Sequence, residues 1–331
     1  MKTGNEFGSL IALARGLPDV ELVITNAFRS DAQLLSEIPR YLFELGGKRI
    51  RPVLALLVGR MCGLQAPSEG LINISAGIEL IHLATLLHDD IIDKSPLRRK
   101  KRSAFLEFGL ESSLLAGDFL LTRAFGLCAR LDQTVIRATE EACVALTEGE
   151  ILEVALDRAP STTLEHSLTV ARKKTAALFN LACFAGSHVA GVSDRTANLM
   201  AQCGEQMGLA FQILDDILDV TADENLLGKK SGMDLVERKP SIVNVLWLQS
   251  GSKLAKRLTT ATTADEGDFV SAALAELRGG PVIAQATALA LEAATKSKAL
   301  LSEAAGCVDS IDATALKGLE GIIDLTVSRI S

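Results

Sequence analysis

Two clusters of aspartates have types and spacing that suit metal chemistry. Asp89, Asp90 and Asp93 close a long apolar run in LLHDDIID, and Asp215, Asp216 and Asp219 repeat the pattern in FQILDDILD. Carboxylates four residues apart lie on one side of a helix, and like charges so placed repel. A hard divalent cation relieves that repulsion. Magnesium fits best, because it takes one or two carboxylates and fills its shell with water and phosphate oxygens. Zinc fits poorly, since the chain has four histidines and no HExxH arrangement. One such cluster reads equally well as a solvated helix end. Two of them, each after an apolar run and before a basic loop, favour the metal.

Four basic elements accompany the acids. In LGGKRIRP two glycines break a helix and Pro52 suits the first position of the next, so Lys48 and Arg51 fall just ahead of a helix N-terminus. Free N–H groups and the helix dipole favour anions there. The run Arg98 to Arg102 is either a solvated loop or a phosphate clamp, with arginine suited to bidentate contact. In RKKTAALF, Lys174 and Thr175 open an apolar helix, and GKKSGMDLVERK places Lys229 and Lys239 after the second acid cluster. His82 lies seven residues before Asp89, on the same helix face. A core histidine is the ordinary explanation, and the alignment with the acids also suits an anion contact. The chain has no Walker lysine loop, no Rossmann glycine fingerprint and no Ser-His-Asp spacing.

These side chains need a scaffold, and the sequence describes a helical one. Apolar residues make up 48% of the 331 and aromatics only 4%, and they recur at three- and four-residue spacing almost throughout. Breaks fall at Gly46–Gly47, Gly63 to Pro67, Ser95–Pro96, Arg158 to Ser161, Gly191 to Asp194, Thr221 to Gly232 and Gly279 to Pro281. No stretch alternates strictly enough for a strand, and no low-complexity linker divides the chain. The expectation is one all-α domain over residues 1–331. A net charge of -7 argues against a nucleic-acid partner. Six scattered cysteines without a CxxC pair read as reduced thiols, and the start lacks a signal-peptide pattern, so a cytoplasmic location is expected. No uncharged apolar run reaches about 18 residues, which predicts no membrane span.

GGKRIRP, IELIHLATLLHDDIID, LRR, LLAGDFLLTRAF, EGEI, KKTAALF, FQILDDILD and LGKKSGMDL, in this order over about residues 30–242, resemble the trans-isoprenyl diphosphate synthases, or polyprenyl synthetases. The resemblance implies a bundle of long helices around a deep central cavity, usually in a homodimer. It implies magnesium ions, three with substrate bound, held by Asp89, Asp93 and Asp215, with Asp90, Asp216 and Asp219 in support. Lys48, Arg51, His82 and Arg99 match the isopentenyl diphosphate site. Arg98, Lys174, Thr175, Gln212, Lys229 and Lys239 match residues that hold the allylic diphosphate. The implied reaction ionises the allylic C–O bond, the double bond of isopentenyl diphosphate attacks the cation, and the departed diphosphate takes the proton. Such catalysis is charge stabilisation and positioning.

The sequence departs from the family in three places. Lys100, Lys101, Arg102 and Ser103 stand where the family has Gly, a variable residue, Pro or Ala, and Thr; Arg238 replaces a common glycine and Val243 a common proline. Ala84 and Thr85, five and four residues before Asp89, are small where short-chain members carry a bulky aromatic. An extended isoprene unit is close to one helical turn, so eight units need about 27 residues, nearly the length of segment 68–93. This favours a long product, roughly C30 to C50 by resemblance. A short-chain synthase, a non-catalytic subunit of a heteromeric synthase and a class I terpene cyclase are the alternatives. Intact acid clusters count against the second, and an isopentenyl site against the third.

Overall fold

A computed structural model describes residues 8–156, 162–222, 231–260 and 266–328. Helices carry nearly all of it. In chain order they are α1 (Leu17–Ala27), α2 (Gln33–Glu44), α3 (Ile50–Met61) and α4 (Glu69–Ile92). A two-residue hairpin of β1 (Leu97–Arg98) and β2 (Lys101–Arg102) leads to α5 (Ala104–Phe108), α6 (Leu110–Cys128), α7 (Gln133–Leu156) and α8 (Leu164–Ala171). A π turn (Arg172–Ala176) runs into α9 (Ala177–Val189), followed by α10 (Asp194–Thr221), α11 (Met233–Glu237) and α12 (Ile242–Gln249). Last come α13 (Arg257–Thr260), α14 (Glu266–Gly279), α15 (Val282–Ala305) and α16 (Ala313–Val327). The chain divides into two compact units, one of residues 1–143, 178–204 and 299–322 and one of residues 144–177, 205–298 and 323–331.

In the first unit α4 is the central element. Ser68 caps its start by accepting from the Leu71 amide. Every residue from Asn73 to Ile81 is buried, as a helix apolar all round must be. By length and composition α4 is apolar enough to cross a membrane, although Glu79 keeps it from holding an uncharged run of 18 residues. Yet 72% of its most apolar window is buried against protein, which marks it as a core helix. It packs on α6, α3 and α1. α3 begins two residues earlier than the proline suggests: Arg51 lies inside its first turn with Pro52, and only Lys48 precedes it. Proline is tolerated there because first-turn amides have no partner within the helix.

The hairpin explains one departure from the family. Both residues of its turn, Arg99 (φ 51) and Lys100 (φ 67), are left-handed, as two-residue hairpin loops require. The Tyr41 hydroxyl donates to the Arg102 carbonyl at 2.6 Å and fastens the hairpin to α2. Arg238 is also left-handed (φ 59). Both positions where a family glycine is missing thus keep the backbone that glycine favours. Val243 sits in the first turn of α12, where the amide that proline lacks is dispensable.

In the second unit α10 is tied to α11 and α12 by its own aspartates. Asp216 accepts from the Ile242 amide at 2.8 Å, at the start of α12. Asp219 accepts from the Asp234 amide at 3.0 Å, and its carbonyl accepts from Gly232 at 2.8 Å. Trp247, almost fully buried, donates to Glu276 at 2.8 Å and links α12 to α14.

Candidate active site

In the first unit the structure gathers the acids, the histidine and the arginines that the sequence pointed to. Asp89 and Asp93 stay partly exposed on the last turn of α4, while Asp90 turns inward and is 1% exposed. Arg98 donates to Asp90 Oδ1 from Nε at 2.9 Å and from Nη2 at 2.5 Å. Burial opposes the charge on Arg98, but the bond to Asp90 and the Asp90, Asp89 and Asp93 carboxylates outweigh it and hold its pKa above the usual value. His82 is held neutral: burial pushes its pKa well down, and Arg51, Arg98, Arg99 and Arg49 push it further. Arg51 lies with its guanidinium 5.2 Å from the Phe179 ring centre, and its Nε is buried without a hydrogen-bond partner among the described residues. Burial lowers its pKa to about 10, with Glu79 acting the other way. An orphaned buried donor in a cationic nest marks a place for an anion. Arg99 is exposed, as is Lys48 just ahead of α3.

Two members of this nest escaped sequence reasoning. Arg49 (φ 48) pairs with Glu79 at 3.2 Å, donates to the Phe43 carbonyl at 3.0 Å and lies 3.8 Å from the Phe43 ring centre. Glu79 is 2% exposed. The available signal was a lone carboxylate inside a buried apolar run, which requires a cation nearby. Gly47 leaves room for the nest, since a Cβ there would lie 2.8 Å from Arg49 Nη1 and 3.2 Å from both Arg99 Nη atoms. The AGD of LLAGDFLL has a matching role. The His88 ring lies against Gly117 and leaves no room for a Cβ there, with Nε2 3.1 Å from the Leu114 carbonyl, and so seats the acidic end of α4 on α6. Of the two chain-length positions, Ala84 is fully buried and Thr85 is partly exposed, its hydroxyl donating to the His82 carbonyl at 2.8 Å.

In the second unit Lys174 and Thr175 stand on the π turn, where one extra residue interrupts the helix; such bulges recur at functional sites. Lys174 Nζ is 2.6 Å from Glu150 and also pairs with Glu153. Thr175 donates to Gln212 at 2.6 Å, and Gln212 donates to Asp216 at 2.9 Å. A relay of polar bonds therefore runs from the π turn through α10 to the start of α12. Burial pushes Asp216 up to about 7, and Asp215 and Asp219 add to the rise against the bonds from Gln212 and Ile242. Asp215 alone of the three is exposed. Lys239 is paired with Glu237 at 3.0 Å, and the Arg238 guanidinium donates to the Leu258 carbonyl at 3.3 Å. Lys229 lies outside the described residues.

The donor set suits magnesium better than a metal held by protein alone. Among the described residues no three acidic, histidine or cysteine side chains converge to hold a metal by themselves. Asp89 and Asp93 present carboxylates on one helix face, and Asp215 presents another. Few protein oxygens and excess negative charge fit a cation that completes its shell with water and phosphate, and do not fit an all-protein cage.

Comparison with known proteins identifies the family. The polyprenyl synthetase family matches residues 32–277. Octaprenyl diphosphate synthase of Escherichia coli is 39% identical over 230 residues, covering 69% of this chain and 71% of that one. Nonaprenyl diphosphate synthase of Mycobacterium tuberculosis is 30% identical over 323 residues, covering 96% and 93%. Among solved structures, the polyprenyl synthase of Caulobacter crescentus, complexed with calcium and isoprenyl diphosphate, superposes with a TM-score of 0.88 at 29% identity, covering 99% of this chain and 98% of that one. The all-α isoprenoid synthase fold, the paired acid clusters and these matches agree: the chain belongs to the polyprenyl synthetase family and is a trans-prenyltransferase, a polyprenyl diphosphate synthase.

Proposed function

We propose that the protein is a magnesium-dependent, long-chain synthase that adds isopentenyl diphosphate to an allylic diphosphate, within one polyprenyl synthetase domain. The observation that carries this reading is the nest around His82. Neutral His82, Arg51, Arg99 and Lys48 receive the diphosphate of isopentenyl diphosphate, with Arg49 and Glu79 holding the nest in place. Arg98, Lys174, Thr175, Gln212, Lys229 and Lys239 receive the allylic diphosphate. Asp89, Asp93 and Asp215 would hold the magnesium ions, which neutralise the leaving diphosphate when bound. Asp216 and Asp219 serve mainly as ties between α10 and the segments after it. The protein's own work is to bind and orient two anions and to keep charge where the C–O bond breaks.

A long product of roughly C30 to C50 is favoured by the octaprenyl and nonaprenyl relatives and by the small, partly exposed Thr85 one turn from Asp89. A homodimer is favoured by Leu110, Leu114, Leu115 and Phe125, all exposed on α6. Six free cysteines suit a reducing cytoplasm. The test is incubation with magnesium, labelled isopentenyl diphosphate and farnesyl or geranylgeranyl diphosphate, followed by chain-length analysis. Products of C30 or longer are expected, with none after chelation. No incorporation with either primer rejects the reading, and arrest at C15 or C20 rejects the long chain.

A further inference from the structure

Lys174 is more heavily countered than its neighbours. Three consecutive cations on the π turn each meet glutamates: Arg172 pairs with Glu165 at 2.9 Å and more distantly with Glu205 at 4.0 Å, Lys173 pairs with Glu148, and Lys174 has two close partners among the described residues, Glu150 and Glu153. Glu150 and Glu153 are three apart on α7 and so present to one side. The three side chains are only 16–19% exposed, so solvent screens them weakly. Two carboxylates around one ammonium leave an excess of negative charge. Glu150 Oε1 is also buried without a hydrogen-bond partner among the described residues, so this closed arrangement does not satisfy its own groups. Gly149 makes the arrangement possible: a Cβ there would lie 2.8 Å from Lys173 Cβ and 3.0 Å from the Lys174 amide nitrogen.

We propose that Glu150 and Glu153 form a latch on Lys174 that competes with the bound diphosphate, setting the affinity of that end of the site and how readily it exchanges its anion. This rests on the reading of Lys174 as a diphosphate ligand. When the ammonium turns to the diphosphate, the carboxylates lose their counterion and repel the anion. When the anion leaves, Lys174 falls back between them. The latch therefore weakens binding and favours release. A plain structural ion pair acts in the opposite sense, because loosening it would disorder the π turn and weaken the anion.

The sign of the effect separates the two. Inorganic pyrophosphate binding, measured by calorimetry with magnesium present, should tighten about fivefold in Glu153→Gln, the scale of one partly screened charge. Glu150→Gln should act in the same direction, and the apparent KM for the allylic substrate should fall while that for isopentenyl diphosphate holds. Adding Lys174→Ala to Glu153→Gln should erase the gain. Thermal melting of each variant checks that it is folded. Unchanged or weaker pyrophosphate binding in both glutamine variants, with Lys174→Ala alone weakening it, overturns the latch and leaves the lysine's role standing. Wild-type binding by Lys174→Ala overturns the lysine's role and the latch together.

Discussion

At Lys100 the hairpin asks for a backbone that a side chain resists. A left-handed residue with a Cβ costs about 1 kcal/mol, and glycine would recover part of it after its greater freedom in the unfolded chain is counted. Lys100 is exposed, so Lys100→Gly should stabilise the fold by about 0.5 kcal/mol, read as a higher urea midpoint. An equal or lower midpoint refutes this. Arg238 should not behave alike, because it is buried and bonded to the Leu258 carbonyl. His82 carries a different expectation. It titrates near 6.5 when unfolded, whereas burial and then Arg51, Arg98, Arg99 and Arg49 keep it neutral to well below that when folded. As pH falls through 6.5 only the unfolded chain gains the proton, so stability is complete above that pH and declines below it. Between pH 7 and 5.5 the loss from this group is about 1 kcal/mol. His82→Gln should lack that slope, and parallel stability curves for the two proteins would show that His82 protonates freely in the fold.

At the level of elements, the helix ends at Glu44, Met61, Ile92, Val189, Thr221 and Gly279 fall at the breaks read from glycine and proline, because those residues act locally. The break at Asp132 carried a weaker signal: its side chain accepts from the Thr134 and Val135 amides, a cap that resembles any other aspartate until the helix is seen. The acid clusters were legible because their spacing is helical, and the basic residues because they stand in short charged runs at breaks between helices. Arg49 and Glu79 were not, because their pairing joins two helices and has no spacing. The π turn was also invisible, since nothing in the spacing of RKKTA marks it. A Cβ on Gly149 of α7 would lie 2.8 Å from Lys173 Cβ and 2.9 Å from Lys174 Cγ on that turn. Gly149→Ala must therefore push the turn and carry Thr175 away from Gln212. We expect the allylic KM to rise about tenfold or more, with the isopentenyl diphosphate KM unchanged. Equal losses for both substrates would mean that the substitution damages the fold at large.

Each compact unit of the whole molecule is assembled from three separated stretches of chain, which sets what can be cut away. In the first unit the segment that carries the acids and the nest, residues 1–143, depends on pieces that come much later. Phe179 of α9 lies under the Arg51 guanidinium, and Gly186 meets the Ala55 backbone closely enough that a Cβ would lie 2.5 Å from its carbonyl oxygen. Asp312, at the start of α16, accepts from Arg60 at 2.6 Å, while Gly318 packs on Leu57. Residues 1–143 alone would expose these α3 surfaces and leave Arg51 without its aromatic support. The isolated fragment should keep helical circular dichroism, since its helices have strong local patterns, but bind a hydrophobic dye and melt without a cooperative transition. Adding residues 178–204 and 299–322 in trans is the corresponding rescue. A fragment that melts cooperatively and binds pyrophosphate with wild-type affinity would refute this dependence. In that case the anion site would belong to the first six helices alone.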